Sequence, residues 1–115
     1  MDDRTSERIG RNDATFREAN ERIAAAAGGL DLADRIPFIC ECAEPACTAI
    51  VLLSLDEYEA IRDNATHFLN APGHEVAAQG AGRKVGDEPG YVVVEKLGRA
   101  AEVAAERDAR SPEAM

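Results

Sequence analysis

Over Met1–Asn12 the chain is polar, with only Met1 and Ile9 apolar apart from Gly10, and this predicts a disordered N-terminus, 1–12. The pattern then turns helical. Phe16, Ala19, Ile23 and Ala27 fall on one stripe, which predicts a helix over Ala14–Ala27 with Asp13 as its N-cap. Gly28-Gly29 should stop it, because glycine enters the left-handed region without steric penalty, and Leu30–Arg35 reads as a connector.

Alternation with a period of two follows. Ile36, Phe38, Cys40 and Cys42 share one face of a strand, while Pro37, Ile39 and Glu41 share the other, and Pro37 suits the start of an edge strand. A short turn at Ala43-Glu44-Pro45-Ala46 leads to a second strand over Cys47–Leu53, rich in β-branched residues. The two strands form a hairpin with the thiols at its tip. Ser54-Leu55-Asp56-Glu57 then has the form of a capping box, opening a helix to about Asp63 that buries Leu55, Tyr58 and Ile61, with Asn64 as a left-handed cap.

Thr66–Asn70 reads as a short strand and Pro72-Gly73 as a turn. Val76–Gly82, rich in Ala and Gly, reads as a mobile loop. Arg83–Val85 is a weak strand, Gly86–Gly90 a turn and Tyr91–Lys96 a strong strand. A short helix over Arg99–Arg107, with Ala100, Val103 and Ala104 inward, precedes a frayed C-terminus at 109–115. The expected architecture is a small single α+β domain over 13–108. Its antiparallel sheet consists of two short hairpins, with an N-terminal helix and a crossing helix packed on it.

Composition adds an energetic problem. Ile, Leu, Val and Phe number only 23 of 115 residues, so the interior is lean and a staple is expected. The net charge of −9 argues against a phosphate backbone as partner, and scattered arginines make no positive patch. A basic protein partner suits such a surface better. No apolar run approaches the roughly 20 residues of a membrane span, and no apolar signal core follows the first Met, so a cytoplasmic location is expected. In that reducing setting an odd count of three Cys points to thiols or ligands rather than disulfides.

Those three Cys form C-x-C-x4-C at Cys40, Cys42 and Cys47, and His74 follows in a flexible turn. Zinc takes four sulfur or nitrogen ligands in a tetrahedron, and side chains two apart on a strand point the same way, so Cys40 and Cys42 can share a centre that a tight turn brings Cys47 to join. His74 is the expected fourth ligand and His67 the reserve. Two other readings stand beside this one. Cys40 and Cys42 continue the face of Ile36 and Phe38 as core thiols would. Alternatively the thiols are redox or catalytic, although Glu41 and Glu44 beside them would raise their pKa and no C-x-x-C occurs. No phosphate-binding loop is present, since Gly80-Ala81-Gly82 lacks the Lys-Ser/Thr ending.

At Phe38–Cys47 (FICECAEPAC), Leu55–Arg62 (LDEYEAIR), Ala71–Glu75 (APGHE) and Gly90–Lys96 (GYVVVEK), the chain resembles a group of uncharacterised short bacterial proteins. The similarity spans Phe16–Val103. It implies no activity, but it implies joint use of Cys40, Cys42, Cys47 and His74. The expected function is a small non-catalytic interaction or regulatory module with a structural zinc site. The alternatives are a thiol-based sensor or enzyme, or a metal-free interaction domain.

Overall fold

The computed structural model describes residues 3–27, 35–42 and 44–108. In chain order these form helix α1 (Asp3–Ala27), strands β1 (Ile36–Ile39) and β2 (Ile50–Leu53), helix α2 (Leu55–Arg62) and strand β3 (His67–Asn70). A 3₁₀ helix (His74–Ala81), strands β4 (Gly82–Glu88) and β5 (Tyr91–Lys96) and helix α3 (Gly98–Glu106) complete the chain. This is the α+β domain with an N-terminal helix that the patterning implies. Its strands form two sheets, however: the β1–β2 hairpin, and a three-stranded antiparallel sheet in the order β3-β5-β4. No helix among the described residues is long and apolar enough to cross a membrane.

The largest departure from expectation is the N-terminus. Residues from Asp3 onward are helical, so α1 begins about three turns earlier than its apolar stripe suggests. The cause lies at the other end of the chain. Ile9 and Gly10 are buried against α3, and Gly10 approaches Ala100 so closely that an added Cβ would lie 2.8 Å from the Ala100 carbonyl oxygen. α3 has no capping side chain at Leu97, and Ser6 of α1 fills that role by accepting from the Ala100 amide at 3.0 Å.

Asp13 is therefore not an N-cap. It is a buried mid-helix carboxylate, ion-paired with Lys96 of β5. The inward face of α1 is also rotated from the expected stripe: Asp13, Ala14, Arg17, Asn20, Ala24 and Ala27 are buried, while Phe16, Ala19 and Ile23 are not. This face is polar because β5 and α3 supply its partners. Arg17 donates to the carbonyls of Ala65 (2.6 Å) and Ala104 (2.7 Å), the latter in the last turn of α3, and its guanidinium lies 4.3 Å from the Phe68 ring centroid. Arg62, also buried, donates to Glu21 at 2.7 Å and Asp108 at 2.6 Å. The sparse interior is thus supplemented by buried, paired charges.

The apolar core lies between the β1–β2 hairpin, α2 and one face of the larger sheet. Phe38 and Tyr58 stack there with ring centroids 4.3 Å apart, among Ile36, Val51, Leu53 and Leu69. The capping box at Ser54 forms as expected: Ser54 Oγ accepts from the Glu57 amide at 3.1 Å and the Glu57 carboxylate accepts from the Ser54 amide at 2.9 Å. The helix ends at Arg62 with Asp63, not Asn64, as its C-cap. Asn64 instead accepts from the Thr66 amide, closing the turn into β3.

The expected loop at Val76–Gly82 is ordered backbone: the 3₁₀ helix covers it up to Ala81 and β4 starts at Gly82. β4 is longer than expected and runs to Glu88, with the reversal at Pro89-Gly90, where Gly90 takes φ 90°. The expectations for Gly28-Gly29, most of the connector and the tail at 109–115 fall outside the described residues.

Candidate metal centre

Chain direction at the end of β1 sets the first two donors. The burial alternation of β1 gives way past the strand to three consecutive buried residues, Cys40, Glu41 and Cys42, with the two thiols continuing the inward face of Ile36 and Phe38. Hydrogen bonding prolongs the hairpin by one step, from the Cys40 amide to the Ala49 carbonyl at 3.0 Å. The connecting turn is closed by the Cys47 amide donating to the Glu44 carbonyl at 3.0 Å, and Glu44 Oε1 accepts from the Ala46 amide at 3.0 Å. This turn brings Cys47 back over Cys40 and Cys42. The fourth donor arrives from a different layer. β3 ends at Asn70, and Gly73, with φ 88°, turns the chain into the 3₁₀ helix that begins at His74.

One ligand atom from each of Cys40, Cys42, Cys47 and His74 lies within 4.8 Å of the other three. His74 Nδ1 is 3.5 Å from Cys40 Sγ and 3.4 Å from Cys47 Sγ. A tetrahedron with Zn–S of about 2.3 Å and Zn–N of about 2.0 Å has edges of roughly 3.5–3.8 Å, so the two His74–sulfur separations match one ion, and the 4.8 Å limit on the set leaves about 1 Å for the remaining ligands to close around it. Cys40 and Cys42 are buried, whereas Cys47 and His74 are half-buried and line a surface groove. Cys40 Sγ also accepts from the Ala71 amide at 3.2 Å, the kind of N–H···S contact that stabilises a thiolate ligand.

Without a cation, this donor set is poorly suited to carrying charge. Burial pushes the Cys40 thiol well above its ordinary range, and the neighbouring Cys42 and Cys47 add to the effect despite the Ala71 amide. Cys42 is raised for the same leading reason. A nucleophilic thiolate needs the opposite environment.

Of the two histidines, His74 joins the three sulfurs. His67, the reserve ligand on sequence grounds, does not, since its Nε2 lies 3.4 Å from Glu95 on the neighbouring strand.

Glu41 departs from expectation. Its position between the two thiols suggests a charge acting on them, on the strand face opposite theirs. Instead it is fully buried: Oε2 accepts from Asn20 Nδ2 at 2.7 Å, and Oε1 accepts from the Leu69 amide at 2.9 Å. The Glu41 amide in turn donates to the Leu69 carbonyl at 2.7 Å, so the Cys40–Cys42 segment is joined to β3. Asn20 completes the clamp by exchanging two 2.8 Å hydrogen bonds with the backbone of Ile39. Burial pushes the Glu41 carboxyl up to about 7, opposed by the bonds from Asn20 and Leu69 and by Arg17. The sequence carries no sign of this clamp, because Asn20 and Glu41 meet only when α1 docks on the hairpin.

The arrangement can hold a soft or borderline cation with a complete set of protein ligands. No protein-family model, no curated protein and no solved structure matches the chain, so the donor set itself is what characterises the centre.

Proposed function

We propose that this protein is a small, non-catalytic interaction module whose hairpin tip is closed by a structural zinc ion held by Cys40, Cys42, Cys47 and His74. The observation that carries this reading is the convergence of four ligand atoms within 4.8 Å from three separate chain segments. Three sulfurs and one imidazole favour zinc over hard cations such as magnesium or calcium, which take oxygen. A full complement of four protein ligands suits a structural rather than a catalytic ion. The ion would tie the hairpin tip to the start of the 3₁₀ helix, supplying cohesion that the lean core lacks. The thiols would need a reducing compartment, consistent with a cytoplasmic location.

The thiol-enzyme alternative finds less support at Cys40 and Cys42, where burial disfavours the thiolate that such chemistry needs. The test is elemental analysis of protein prepared without chelator, together with cobalt substitution. The expected result is one zinc per chain and, for the cobalt form, the intense sulfur-to-metal charge-transfer and tetrahedral ligand-field bands of a thiolate-rich site. Metal-free protein that folds equally well in chelator under reducing conditions would overturn the proposal.

A further inference from the structure

One face of the three-stranded sheet packs on α1 through Phe68 and Lys96, while the other carries Leu69 and Tyr91 into the apolar core. Toward β4 this second face is not fully covered. A groove of about 500 Å³ lies between the start of α2 and the β4–β5 hairpin. Its apolar lining includes Ile61, Val85, Tyr91 and Val93, and its rim carries Asp56, Glu57 and Glu88.

Val85 is the feature that marks this groove. It is the single apolar side chain of β4, among Arg83, Lys84, Asp87 and Glu88. Lys84 pairs with Val94 and Gly86 with Val93, so Val85 is the extra residue of a β-bulge. Bulges re-aim side chains and are frequent beside functional sites. Here the bulge leaves Val85 44% exposed on the wall of the groove. Gly86 then lets β4 pass close over β5, since a Cβ there would sit 3.1 Å from Val93 Cβ.

The rim has one sign. Glu57 is engaged by the capping box, by Arg35 and by the Tyr91 hydroxyl. Among the described residues, Asp56 and Glu88 form no ion pair, and no Lys or Arg side chain lines the groove; the His67 imidazole there faces Glu95. An apolar floor with two acidic rim residues outside any ion pair, Asp56 and Glu88, is complementary to a ligand that is apolar at its centre and cationic at its ends.

We propose that this groove binds a basic peptide segment of a partner protein, with an aliphatic side chain seated against Val85 and Val93 and flanking Lys or Arg residues facing Asp56 and Glu88. The inference rests on the interaction-module reading but not on its zinc: the groove shares no lining residue with the thiol cluster.

A fluorescein-labelled synthetic peptide of alternating leucine and lysine tests it, by anisotropy on the full chain. An all-lysine peptide of the same length and a leucine–serine peptide serve as controls. Backbone amide NMR shifts locate the contact. The expected result is binding of the Leu–Lys peptide at least about tenfold tighter than either control, with shifts centred on Asp56, Val85 and Gly86. Val85→Ser and the pair Asp56→Asn/Glu88→Gln should each weaken it by about tenfold, while circular dichroism and metal content stay as in the unaltered protein. Equal binding of the all-lysine peptide, shifts spread over the whole acidic surface, or undiminished binding by both variants would overturn the proposal. Absence of zinc with groove binding intact would count against the metal reading alone.

Discussion

Asn20 Nδ2 lies 2.7 Å from Glu41 Oε2, and through this contact the middle of α1 grips the residue between Cys40 and Cys42. The same carboxamide meets the Ile39 backbone in both directions at 2.8 Å. Asn20→Ala would remove three hydrogen bonds at once and leave Glu41 with one donor fewer in a buried site. The expected cost is roughly 2–4 kcal/mol, since three bonds are lost together and the buried groups left without partners add their desolvation. Urea denaturation of metal-saturated protein measures it. A change under about 0.5 kcal/mol would show that water replaces the clamp freely.

The two histidines should behave differently. His74→Ala should abolish stoichiometric zinc, and His67→Ala should retain it, because only His74 reaches the sulfurs. Zinc loss from structural sites of this kind removes folding free energy directly. Even a loss of about 3 kcal/mol lowers a small domain's melting temperature by roughly 10–20 °C. Metal content and thermal denaturation of both variants decide the point. Equal zinc in both would remove His74 from the ligand set.

Asp13 gives the interior a dependence on pH. Burial raises its pKa from 3.8 to about 6, although Lys96 and Arg17 pull it down. The folded protein therefore retains a proton that the unfolded chain releases first. Asp13 protonation contributes stability that is fully present below about 3.8 and is lost as pH rises through about 6. Carbon-13 NMR of the Asp13 carboxyl should titrate with a midpoint near 6. A midpoint below 3.8 would mean that the Lys96 ammonium outweighs burial.

At Gly10 the backbones of α1 and α3 pass in close contact. A side chain there meets backbone, at 2.8 Å from the Ala100 carbonyl oxygen and 3.2 Å from its Cα, so the helices must move apart. Gly10→Val should cost about 1–3 kcal/mol despite valine's greater burial potential. Equilibrium denaturation checks this, and a stabilised variant would show that the helices separate without loss.

Ser54→Ala removes the hydroxyl that accepts from the Glu57 amide. The expected loss is about 1 kcal/mol, smaller than the Asn20 effect because this helix end is accessible to water. The same denaturation assay reads it, and no measurable change would mean that solvent caps α2 adequately.

Local signals are legible where the responsible atoms are neighbours in sequence. The Ser54–Glu57 box is four residues long and forms as its pattern implies. Tyr91–Lys96 has the bounds its β-branched run suggests, and Ala100, Val103 and Ala104 face inward on α3 as their spacing implies. The convergence of Cys40, Cys42 and Cys47 is likewise readable, because strand alternation and one short turn suffice to bring them together. The fold of α1 is not. Its first turns look too polar to be ordered because the groups that bury Ser6, Ile9, Gly10 and Asp13 belong to the last third of the chain.

What the amino-acid order alone determined, then, is the trio of sulfur donors, the capped helix, the strong strand and the small α+β character. Each depends on backbone periodicity and on contacts within a few positions. Tertiary structure decided which histidine meets the sulfurs, that Glu41 is an internal clamp and that α1 presents a charged inner face. Those outcomes depend on pairings between distant segments, such as Asp13 with Lys96 and Asn20 with Glu41. A buried charge is tolerable only when its partner is in place, and the linear pattern of polarity does not reveal that partner.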